Sequence, residues 1–107
     1  MPDRKNTNRR EIPRIASLLG LATIDSDWSG VDPVLPLLEH MRQEGAVVVF
    51  KLDGGRGPGD NGPYTGIASG PPLGDDFVRI DADTLEDALA SIIVGYATRV
   101  WGHPPSE

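Results

Sequence analysis

The residues of this chain that could do chemistry fall in three places. The first is the glycine-rich stretch of residues 53–63, in which Gly57, Gly59 and Gly62 match the spacing G-x-G-x-x-G. Glycines so placed let backbone amides close on a pyrophosphate when the motif follows a strand and opens a helix whose N-terminus meets the anion. Here Pro63 and a strand-like run follow instead. A kinase-type glycine loop does join two strands, but it works with a lysine, a catalytic aspartate and metal ligands spread over a much longer chain. The stretch therefore reads as a hairpin loop, and no cofactor is implied.

The second place is a run of carboxylates, Asp75, Asp76, Asp81, Asp83, Glu86 and Asp87, interrupted by Arg79. Carboxylate oxygens can hold a hard cation, yet the run lacks the alternating ligands and the glycine of an EF-hand loop. Asp83 followed three residues later by Glu86 reads instead as a capping box. What is left is a solvated acidic corner that a partner could contact through Asp75, Asp76, Asp81 and Asp87. The third place is the pair His40 and His103. Neither has a serine or carboxylate at motif spacing, and with no cysteine in the chain a Cys-based metal site or a disulfide is excluded. No catalytic, cofactor-binding or metal residue is assigned.

Charge adds one more candidate. Residues 1–14 hold five basic and two acidic side chains, a net of +3, and residues 15–107 hold five basic and fourteen acidic ones, a net of −9. An acidic body repels phosphate backbones and favours basic partners. The basic arm, with Arg9 and Arg10, is a possible clamp for an acidic partner or a nucleic acid, and otherwise a solvated terminus. Nucleic acid ranks behind protein as a partner. No run reaches the eighteen apolar residues of a membrane span, and the basic N-terminus precedes no apolar segment, so the expected compartment is the cytoplasm.

The elements that must position these residues follow from periodicity. Residues 11–21 place Ile12, Ile15, Leu18 and Leu19 at helical spacing, with Pro13 in the first turn and Gly20 at the end. Trp28, in a polar connector, is expected to fold onto the core. Asp32 and Pro33 open a second helix with Val34, Leu37, Leu38 and Met41 on one face; Pro36 pushes its regular part later, and Gly45 closes it. Residues 46–52 are β-branched and nearly unbroken, residues 64–69 form a strand weakened by Gly66, and residues 77–80 form a third. The connections are too short for crossover helices, so the strands should form an antiparallel meander. From Asp83 a last helix carries a continuous apolar stripe to Val100.

The expected fold is α+β, in two layers: a three-stranded antiparallel meander with helices packed on one face, in the order α-α-β-β-β-α. Residues 1–10 are expected as a disordered basic arm, 11–101 as a single domain, and 102–107 as a disordered tail. A helix, three antiparallel strands and a final helix is also the element order of double-stranded RNA-binding domains, but Asp83, Glu86 and Asp87 put the wrong charge where phosphates would lie. The functional expectation is a small acidic non-catalytic protein that binds another macromolecule, as an inhibitor, an immunity-type protein or an accessory subunit. The alternatives are nucleic-acid binding through the basic arm and small-ligand binding at the glycine loop. A homo-oligomer remains open.

Overall fold

The computed structural model describes residues 4–56 and 62–103, with side chains from residue 8 onward. Among these residues three helices, α1 (Arg4–Leu18), α2 (Leu35–Gln43) and α3 (Leu85–Tyr96), combine with three strands, β1 (Val47–Leu52), β2 (Tyr64–Ser69) and β3 (Val78–Ala82). The strands pair antiparallel in the order β1-β2-β3, giving the α+β meander that the residue pattern implied. Both glycine stops act as read. Gly20 and Gly45 take positive φ, and the amides of Leu21 and Ala46 reach back to the carbonyls of Ala16 and Met41, the bond that closes a Schellman motif.

The register assigns one face of the sheet to the core. Val48 lies beside Ala68 and Val78, and Phe50 beside Gly66 and Ile80. Helix α3 lies across this face at the places where side chains are missing. A Cβ on Gly66 would stand 2.5 Å from Cγ1 of Ile92, and one on Gly95 would stand 2.7 Å from Cγ1 of Val78. Gly66, which weakens the strand by propensity, is thus what lets the helix approach. On its other side α3 meets α1, so Ala88 to Val94 are all buried, together with Tyr96. Fully buried Ile12, Ile15, Leu37, Met41, Leu89, Ile92 and Ile93 fill the layer between, each contributing about 1.5–3 kcal/mol by burial.

Helix α1 begins earlier than the sequence pattern placed it, at Arg4 rather than residue 11, and ends at Leu18. Part of the arm expected to be disordered is therefore helical. Pro13 consequently lies inside the helix, where it offers no N–H to the carbonyl of Arg9. Trp28 supplies the missing donor. Its indole Nε1–H donates to the Arg9 carbonyl at 3.1 Å, and the Arg9 guanidinium donates back to the Trp28 carbonyl at 2.6 Å while lying 5.2 Å from the indole centroid. Trp28 is buried, as expected, and its connector is fastened to α1 by this reciprocal pair.

Other boundaries shift for local reasons. A 3-10 turn at Asp32–Val34 precedes α2, whose regular bonding starts at Leu35, because Pro33 and Pro36 have no amide hydrogens to give. The third strand runs to Ala82, longer than residues 77–80. The cap of α3 is Thr84, one residue beyond the expected Asp83: its hydroxyl accepts from the Asp87 amide at 3.1 Å. The helix ends at Tyr96 and continues as a π-helical turn, Ala97–Trp101. Gly102 and His103 remain in the fold, with the His103 amide bonded to the Ala97 carbonyl, so the tail does not begin at 102.

Two stability measurements check these contacts. Gly66→Ala overpacks the helix–sheet contact and should cost about 1–3 kcal/mol in urea unfolding, with part returned by adding Ile92→Ala. Trp28→Phe strands the Arg9 carbonyl and should cost about 1–2 kcal/mol; adding Pro13→Ala, which restores an amide donor to that carbonyl, should recover part of it.

Candidate interaction surface

With the helices on one side, the other face of the sheet presents the alternate residues of each strand. The register arranges them in three rows: Val47 beside Ser69, Val49 beside Ile67 and Arg79, and Lys51 beside Thr65 and Asp81. Phe77, one residue before β3, continues the first row. Val47, Val49 and Phe77 are 55 %, 51 % and 57 % exposed. Large aliphatic and aromatic side chains so placed form an apolar stripe with no layer of the described residues over it, the kind of surface that marks a contact site.

The third row is polar and tightly bonded. The Thr65 hydroxyl donates to Oδ1 of Asp81 at 2.6 Å, and Arg56 and Arg79 reach the two Asp81 oxygens at 3.3 Å each. Arg56 also pairs with Asp53, which Lys51 approaches at 3.4 Å. Thr65 is only 5 % exposed on this otherwise bare face. The Thr65 hydroxyl holds the Asp81 carboxyl below the usual carboxylate range; burial opposes it, and the Arg79 charge and the Arg56 bond add to the lowering. Asp53 is lowered likewise, first by the Gly55 amide, which donates to it at 2.9 Å. Between Leu52, Asp53, Gly54, Arg56, Pro63 and Tyr64 lies a shallow groove of about 250 Å³. Of the G-x-G-x-x-G spacing only Gly62 is within the described residues.

The residues singled out in the sequence do not converge. Asp75 is exposed in the turn before β3, and Asp76 pairs with Arg99 at 2.9 Å and accepts from the Phe77 amide at 2.8 Å. Asp87 lies in the first turn of α3, beyond the other end of β3. A five-residue strand rising about 3.3 Å per residue separates the two groups, so the acidic run makes two ends rather than one corner. Asp81, between them, points onto the bare face. Arg9 is engaged by Trp28, and its charge helps to lower Glu86, whose main partner is the Gly30 amide at 2.9 Å. Arg10 is exposed.

Two clusters escaped the sequence reading. His40, on the flank of α2, belongs to a group with Glu44, Tyr96 and Trp101. The buried Tyr96 hydroxyl donates to Glu44 at 2.7 Å, Trp101 Nε1 donates to it at 2.9 Å, and His40 Nε2 lies 3.5 Å from its other oxygen. Burial, with the Glu44 hydrogen bond, pushes the Tyr96 hydroxyl well above its ordinary value. The i,i+4 spacing of His40 and Glu44 was visible; the π-helical turn that swings Trp101 over them was not. His103 is buried against Glu11 at 3.2 Å. Among the described residues no three His, Asp or Glu side chains converge as metal ligands, in these clusters or elsewhere.

A lowered carboxyl gives a signed expectation. Ionised Asp81 stabilises the fold above the unfolded carboxylate value of about 3.9, and that contribution fades as pH falls through the lower folded value. Thr65→Val should move the Asp81 titration, followed by carboxyl carbon shifts in NMR, back toward the ordinary range and shrink this acid-sensitive contribution. No family model, no curated protein and no solved structure matches the chain.

Proposed function

We propose that this chain is a small non-catalytic protein-interaction domain that docks through the uncovered face of its sheet. One observation carries the reading: Val47, Val49 and Phe77 are each more than half exposed and lie on the same bare face. Apolar side chains of this kind supply the anchoring part of an interface, while surrounding charge governs encounter and selectivity. The chain's net charge of −6 favours a partner with a basic surface near the contact. The inhibitor, immunity-type and accessory roles all use such a surface, and the partner's identity decides among them.

This differs from a contact through acidic residues alone. Asp76 is committed to Arg99, and Asp81 is shared with Arg56 and Arg79, so neither carries a contact by itself. The nucleic-acid alternative is weakened in the same way, because Arg9 is tied to Trp28.

Affinity capture from the source organism's extract separates these readings. Wild type and Asp75→Asn/Asp87→Asn should retain the same stoichiometric partner, and Val49→Lys should lose it by tenfold or more. Loss with the aspartate variant and retention by Val49→Lys would return the contact to the acidic ends.

A further inference from the structure

We infer that the occupant of the bare sheet face is a second copy of this chain, packed face to face about a two-fold axis that runs along β2. The inference rests on the reading of this face as the contact surface and names what covers it. Strand β2 is central, with β1 and β3 on either side. Rotation about an axis along β2 keeps the rows in register and exchanges β1 with β3. Val47 then lies over Phe77 of the second copy, Ile67 over its own equivalent, and Val49 over the aliphatic stem of Arg79. Lys51 comes over Asp81 of the second copy.

Apolar side chains therefore meet apolar ones, and the row that carries charge meets its complement. A two-fold across the strands would instead lay the apolar Val47–Phe77 row on the Lys51–Asp81 row. The pattern thus selects one axis, and it corresponds to the aligned packing of two sheets about 10 Å apart.

Charge supports a second copy in particular. The chain is acidic overall, yet Asp81 is the only carboxylate on the three strands, and the face also carries Lys51 and Arg79. Bringing two such faces together does not oppose acid with acid. Asp81 accepts from Thr65, Arg56 and Arg79, and a carboxylate offers about four lone-pair sites, so one is left for Lys51 of the second copy, an exposed side chain that must exchange its 3.4 Å pairing with Asp53 for this contact. Arg79 enters the contact already paired with Asp81. Three strands about 4.8 Å apart make a small face, below the area of about 800 Å² per partner of a standard interface, so the dimer is concentration-dependent.

Sedimentation velocity of the full chain from about 5 µM to about 1 mM should show monomer giving way to dimer, in the range of weak, small-area contacts. Lys51→Glu and Val49→Lys should each weaken the association by tenfold or more. Because the chain has no cysteine, a single Ile67→Cys places one thiol on the axis. A bifunctional thiol reagent of roughly 8 Å should join Ile67→Cys chains efficiently and Val49→Cys chains poorly, since Val49 and its equivalent sit about 10 Å apart sideways. The reverse pattern, Val49→Cys joined and Ile67→Cys not, would mean pairing through the β1 edge and would overturn the proposal. A monomer at every concentration would overturn it too. In that case, loss of a captured partner by Val49→Lys would leave the docking face standing, and unchanged capture would remove both readings.

Discussion

The structure depends on how closely α3 approaches the sheet. At Gly66 and Gly95 no side chain separates the helix from the strands, so Ile92 and Val78 bear directly on backbone. That approach allows one helix to cover the inner side of β2 and β3 while its far side receives α1. The helices of the described chain are then used on a single face. No described element is left to cover the other, and the exposure of Val47, Val49 and Phe77 follows from this layering rather than from any local oddity.

The same economy governs charge. A basic arm and an acidic body read as separate features in the sequence, but Arg9 is engaged within the fold, bonded to Trp28 and lowering Glu86 at the start of α3. Asp76 and Asp81 are likewise held by Arg99, Arg56 and Arg79. Much of the charge that seemed available for a partner stabilises loops and helix ends instead. In the proposed function, recognition therefore falls chiefly to the apolar stripe, with the remaining acidic residues biasing which partners approach.

Element type and order were legible because the hydrophobic period changed cleanly from helical to alternating and back, with glycines at both early helix stops. Boundaries were less so, and each miss has a tertiary cause. Pro13 marks a helix start when read locally, and only a tryptophan fifteen residues later, donating to the Arg9 carbonyl, lets the helix run through it. The cap lies at Thr84 rather than Asp83 because either residue type can cap a helix, and it is the Thr84 hydroxyl that meets the Asp87 amide. The bare face was partly hidden for a similar reason: the run of residues 46–52 looks uniformly apolar, and only the register shows that Val47 and Val49 face away from the helices. His40 and Trp101 could not be joined without the π-helical turn.

The most direct test of the account is the accessibility of the methyl groups of Val47, Val49 and Ile67 to a soluble paramagnetic probe, measured by NMR as protein concentration rises. Strong relaxation of these methyls is expected in dilute protein, with progressive shielding on concentration, while the methyls of Ile92 and Leu89 stay shielded throughout. Shielding of Val47 and Val49 even at the lowest concentration would mean that the chain covers this face itself, and would contradict the claim that the sheet is bare on one side.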